Sequence, residues 1–137
     1  MSIYETIALT AHSLMRKNPN LNCKDAWIQS AKSHSSNFYI IEKRCPRKAY
    51  IGLCENGRFK NITRKCSCAK KYSKNKIYAN VLAELFLNGG ILPTMTIKEI
   101  WEIMRTEVVK THKFIPAKNH NSQIYVVKAL FVNGLLK

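Results

Sequence analysis

LCENGRFK (Leu53–Lys60) and LFVNGLLK (Leu130–Lys137) decide how this chain is read. The two stretches share a leading Leu, an Asn-Gly pair and a closing Lys at an offset of 77 residues. Asn-Gly after an apolar run is a helix stop, because glycine takes up the left-handed conformation that ends a helix at little cost. Toward the N-terminus the correspondence continues at an offset of 74. Ile3-Tyr4 falls on Ile77-Tyr78, Pro19 on Pro93, Leu21 on Met95, Lys24 on Lys98, Asp25 on Glu99 and Trp27 on Trp101. The identities are few, but they include both tryptophans and both Asn-Gly helix ends. Self-similarity at a fixed shift is the mark of a repeat, and we read two copies of one unit of about 60 residues.

Each copy reads as three helices. In the first, Ile3, Ile7, Ala8, Ala11, Leu14 and Met15 recur at helical spacing, with Ser2 and Glu5 as a capping box and Asn18-Pro19 as a stop. A second helix follows the cap Asn22 over residues 23–33, with Ala26, Trp27 and Ser30 inward. The third runs from Cys45 as cap and Pro46 at the first helical position to the stop at Gly57. The second copy predicts helices over 77–88, ended by Gly89-Gly90, over 97–110 behind a Thr96/Glu99 capping box, and from Asn121 or Ser122 through Asn133, closed by Gly134. Ahead of each third helix lies an apolar patch, Phe38–Ile41 and Phe114-Ile115, read as short strands or extended cover. The expected fold is therefore mostly α: two related three-helix units of helix-turn-helix or winged-helix type from an internal duplication, with room for short β segments. The units span 1–60 and 77–137, joined by a basic Cys/Lys-rich linker or wing over 61–76, in one compact globule. Plain helical bundles share this pattern, so the fold assigns no activity.

The chain has 137 residues and a net charge of +15, with an ordinary hydrophobic content of 46%. That content excludes a disordered basic tail, and the apolar runs are too short for a membrane span. The N-terminus shows no secretory signal, and five cysteines, an odd number, point to a reducing compartment: the cytoplasm of a bacterium, or of the host for a phage protein. The charge is concentrated. Residues 43–76 hold twelve Lys or Arg against Glu55, and the remainder of the chain carries only +4. Such asymmetry favours an anionic partner over a merely solvated surface, and nucleic acid, DNA or RNA, is the commonest.

Lys43, Arg44, Arg47 and Lys48 surround the start of the third helix, where the helix dipole already makes cations unfavourable. Unpaired N–H groups and cationic side chains converging on one spot suit a phosphate. The following stretch adds Arg58, Lys60, Arg64, Lys65, Lys70, Lys71, Lys74 and Lys76, with Tyr72 as an exposed aromatic able to stack on a base; Tyr50 is read as core. In the second copy the matching helix start is neutral. There His120, Asn121 and Gln123 are polar groups able to read base edges, although helix capping also explains Asn121 and Ser122.

No cofactor is expected. Cys45, Cys54, Cys66 and Cys68 lack paired C-x2-C knuckles, and Cys45 and Cys54 stand about 13 Å apart on one helix, too far to share an ion. A zinc site from Cys54, Cys66, Cys68 and one histidine is the weaker alternative to a core Cys54 with two exposed thiols. Eight acidic residues, several at helix starts, offer no magnesium cluster, and no base accompanies a cysteine, so the chain reads as non-enzymatic.

CPRKAYIGLCENG (Cys45–Gly57), SKNKIYA (Ser73–Ala79), HNSQ (His120–Gln123), Ala129-Leu130 and Gly134-Leu135 together resemble a small family of bacterial domains without an assigned activity. The resemblance runs from Trp27 onward. It implies a bacterial or phage origin, transfers no functional residue, and suggests structural roles for Cys45 and Cys54. The sequence leads to a non-catalytic nucleic-acid-binding protein with no membrane partner. The alternative is a small phage-type inhibitor or accessory protein, acting on a bacterial nucleic-acid-processing complex such as a restriction or CRISPR machine.

Overall fold

The computed structural model describes residues 2–63 and 72–137. Seven helices are present among them: α1 (Ile3–Lys17), α2 (Cys23–His34), α3 (Phe38–Glu42), α4 (Arg44–Glu55), α5 (Lys74–Asn88), α6 (Ile97–His112) and α7 (Gln123–Val132). None of them is long and apolar enough to cross a membrane.

Three of the caps written into the sequence, Ser2, Asn22 and Thr96, are formed, whereas Cys45 does not cap α4 and neither Asn121 nor Ser122 caps α7 with its side chain. Ser2 Oγ accepts the Tyr4 N–H at 3.2 Å, and Thr96 Oγ1 accepts the Glu99 N–H at 3.1 Å. Asn22 accepts the Asp25 N–H at 2.8 Å and donates back to its carboxylate at 3.0 Å, so cap and third helical residue satisfy each other. The stop signals behave alike in both halves. After α4, Gly57 at φ +66° donates to the Cys54 carbonyl and Arg58 to that of Leu53; after α7, Gly134 at φ +70° donates to Phe131 and Leu135 to Leu130. Both are Schellman closures. The two chain segments leaving these stops then meet. Phe59 and Leu136 form an isolated antiparallel bridge, with the Lys60 N–H donating to the Leu135 carbonyl at 2.8 Å and the Lys137 N–H to that of Arg58 at 2.9 Å. The bridged pair, Phe59 and Leu136, stands 77 residues apart, and the two hydrogen-bonded pairs that flank it stand 75 and 79 apart.

Helix packing crosses between the halves. α7 lies against α1 as well as α5, and α4 lies against α5, α7 and α2. The buried side chains form one cluster running from Tyr4 to Leu136. On one side of it Trp27, Tyr50, Phe59 and His12 meet in series, tilted or edge-on, at centroid distances of 5.3, 4.9 and 5.4 Å. On the other, Trp101 meets Tyr78 edge-on at 5.3 Å and donates its indole N–H to the Ala117 carbonyl at 3.0 Å. At α4 and α5 the backbones nearly touch, because Gly52 carries no side chain to hold Lys76 away.

Three expectations need correction. Phe38–Glu42 is a short helix, not a strand, and the Phe59–Leu136 bridge is the sole β pairing among the described residues. Asn37 sets that helix by accepting the Tyr39 N–H at 2.9 Å, while its carbonyl accepts from Ile40 and Ile41. α4 starts at Arg44 with Lys43 as cap, so Pro46 is third in the helix; its missing N–H is still one of the four that have no acceptor within a helix. α5 starts at Lys74, so Lys74 and Lys76 belong to a helix and not to a basic loop.

Candidate functional site

The starts of α4 and α7, almost 80 residues apart in sequence, abut. Lys43 Nζ donates to Ser122 Oγ at 3.4 Å and stands 5.2 Å above the Tyr4 ring, while Asn121 Nδ2 reaches Cys45 Sγ at 3.3 Å. Neither helix has a side-chain cap. Ser122 is held at φ +73°, a conformation that costs a non-glycine residue about 1–2 kcal/mol. The turn is braced from within. Gln123 is buried; its Oε1 accepts the Asn121 N–H at 2.5 Å and its Nε2 donates to Asn75 Oδ1, on α5, at 2.8 Å. His120 Nδ1 accepts the Ser122 N–H at 3.3 Å, which leaves its proton on Nε2. Burial pushes the His120 pKa down and the neighbouring Lys43 charge pushes it further, so this imidazole is neutral at physiological pH.

The predicted contact residues separate into groups. Arg44 and Lys60 are exposed, and Lys43 is half-buried at the corner between α4 and α7. Arg47, with 14% of its side chain exposed, points back 3.8 Å from the Glu42 carboxylate, and half-buried Lys48 is not without a partner. Arg58 donates to Glu84 at 2.8 Å and to Asn80 at 3.0 Å. Lys76 is clasped by both oxygens of Glu55, in a pair that is nearly buried on both sides. Lys74 is exposed and stands 5.3 Å over the Phe114 ring, and Tyr72 is exposed as expected. Arg64, Lys65, Lys70 and Lys71 lie outside the described residues, as do Cys66 and Cys68 of the zinc alternative; Cys54 is buried in α4. Of the residues expected to read bases, Gln123 is committed to holding the turn, while Asn121 is exposed.

Two features escaped the sequence reading. One is a groove of about 470 Å³ along α5, lined by the paired charges Arg58–Glu84 and Lys76–Glu55, by Glu107 and His112 of α6, and by Tyr72. Its signal was Lys76, Asn80, Glu84 and Asn88, a polar stripe at four-residue spacing on a helix that is otherwise apolar beyond its first turn. The other is the outward face of α3, where Phe38 and Tyr39 are 69% and 82% exposed. Nothing in the FYII run separates its outer half from its inner half until a helix is assumed.

These features define a mostly helical protein with a basic corner built from two helix starts. The chain belongs to a family of unknown function, DUF6979, whose model matches residues 1–137. No curated protein and no solved structure matches it.

Proposed function

We propose that this protein binds nucleic acid without catalysing a reaction, gripping phosphates at the corner where α4 and α7 begin. One observation carries the reading. The cation-rich start of α4 and the polar HNSQ turn, far apart in sequence, are joined by the Lys43–Ser122 and Asn121–Cys45 contacts. Two helix starts whose cap residues supply no side-chain acceptor meet there, and Lys43 and Arg44 stand beside them; helix starts of this kind favour an anion. A phosphate there gains charge-assisted hydrogen bonds and relieves the crowding of positive ends. We also read the two halves as copies of one three-helix unit, since their stops and their shared bridge fall at one offset of 77 residues.

The test is anisotropy titration of labelled DNA and RNA against salt, with wild type beside a Lys43→Gln/Arg44→Gln variant. Phosphate contacts release counterions, so log K falls linearly with log salt, by about 0.7–0.9 per contact. The variant should bind more weakly, with a slope shallower by about 1.4–1.8 for the two lost contacts. Binding that is absent in the wild type, or insensitive to salt, refutes the reading and favours a protein partner.

A further inference from the structure

We propose that Phe38 and Tyr39 form a stacking platform for unpaired bases, which makes single-stranded nucleic acid the preferred ligand; this rests on the nucleic-acid reading above. The argument begins with helical geometry. At 100° per residue, Phe38 and Tyr39 share one half of α3, and Ile40 and Ile41 share the other. The isoleucines pack against the buried cluster, which fixes the helix and turns both aromatic rings outward. The rings stand edge to face at 6.2 Å. Isolated exposed apolar residues are ordinary, but two adjacent aromatics turned out into water are not explained by packing.

Their surroundings indicate the occupant. From Lys32, at the end of α2, to Lys48 there are five cations, Lys32, Lys43, Arg44, Arg47 and Lys48, and one carboxylate, Glu42. Arg47 takes up that carboxylate. α3 packs on α2, and only Lys43 separates α3 from α4, so Tyr39 and Arg44 are five residues apart and no more than about 12 Å from each other. An aromatic surface within one such step of exposed positive charge suits a ligand with π faces and regularly spaced anions. A protein ligand would need an acidic and apolar patch together, whereas one strand of nucleic acid supplies both features by its constitution. Bases inside a duplex are stacked on each other and offer no free face, so the platform selects single strands.

The experiment compares wild type, Phe38→Ala/Tyr39→Ala and Tyr39→Trp on labelled oligo-dT, oligo-U and a duplex of equal length. Both rings are exposed, so the alanine variant should keep its melting temperature; should it fail to fold, Tyr39→Ala alone takes its place. Loss of one base stack lowers single-strand affinity about 5- to 150-fold, with duplex affinity and the salt slope unchanged. Tyr39→Trp should retain binding and show its indole fluorescence quenched by the oligonucleotide, against a background of two buried tryptophans. Equal affinity of wild type and alanine variant for single strands overturns the platform while leaving the phosphate corner standing. Equal loss on single strand and duplex also overturns it. If wild type binds none of the three probes, the functional reading falls first and the platform with it. Capture of anionic vesicles, lost in the alanine variant without any effect on oligonucleotides, would reassign the pair to a membrane surface.

Discussion

Replacing Gly52 by alanine should destabilise the protein, although alanine is the better helix former. An ideal Cβ at Gly52 would stand 2.7 Å from Lys76 Cβ and 2.8 Å from Lys76 Cα. Carbon atoms prefer about 3.5–4.0 Å, so α5 would have to withdraw by roughly 0.8 Å, and because Lys76 Cα is backbone no rotamer change can relieve the contact. The withdrawal strains what spans the seam: Asn80 Nδ2 to the Gly52 carbonyl at 3.1 Å, Arg58 to Asn80, and Lys76 to Glu55. Helix propensity favours alanine by about 0.8–1.0 kcal/mol. Overpacking costs about 1–3 kcal/mol, and a weakened buried hydrogen bond adds about 1 kcal/mol. The expected balance is a loss of about 1–3 kcal/mol. Urea unfolding followed by far-ultraviolet circular dichroism should show the midpoint falling by roughly 0.5–1.5 M at an unchanged slope. A midpoint that rises, as at an open helical site, would refute the close approach of α4 and α5 and the reason for glycine at this position.

Stability measurements check three further expectations. Burial lowers the His12 pKa, with Arg16 adding to the shift and the bond from Nε2 to the Lys60 carbonyl opposing it, so the folded state resists protonation and the unfolded state does not. Stability should therefore fall as pH drops below about 6.5, with His120 acting in the same direction, and His12→Gln should flatten most of that slope between about pH 5 and pH 8. Glu55→Gln leaves Lys76 charged in a nearly buried place and should cost about 2–3 kcal/mol; Lys76→Met added to it should recover part of the loss, and a double variant worse than the sum of the singles would refute the pairing. Gly57→Ala and Gly134→Ala each force alanine into a left-handed turn and should cost about 1–2 kcal/mol. Near-equal losses, read from thermal melts, are what the matched closures of α4 and α7 require.

What the sequence made legible is local. Asn22, Thr96, Gly57 and Gly134 act within a few residues of themselves, so their caps and stops could be read from spacing alone. Phe38–Ile41 was misread because β-branched and aromatic residues favour strands, whereas the helix there is imposed by Asn37 before it and by the core beneath Ile40 and Ile41. Charge was legible as a sum and not as an arrangement. Arg58 and Lys76 meet carboxylates 26 and 21 residues away, and no local pattern announces such a partner. Gln123 resembles a base reader in sequence for the same reason: its contact to Asn75 depends on how α5 meets α7, although its bond to the Asn121 N–H is local.

The abutment of α4 and α7 also explains why the two helix starts differ so much in charge. At the offset of 77 that aligns the Asn-Gly stops, Lys43 corresponds to His120, Arg44 to Asn121 and Cys45 to Ser122. On the reading of the halves as copies, these corresponding ends lie face to face, as the Phe59–Leu136 bridge does. Each helix start brings about half a positive charge of its own, and a second lysine and arginine at His120 and Asn121 would concentrate like charges at one corner. His120 answers this by staying neutral, its pKa depressed by burial and by Lys43. The HNSQ turn therefore needs no base-reading role to account for its composition. Its neutrality is what allows the cations of α4 to stand there, and an anion at the corner is what would make their presence favourable.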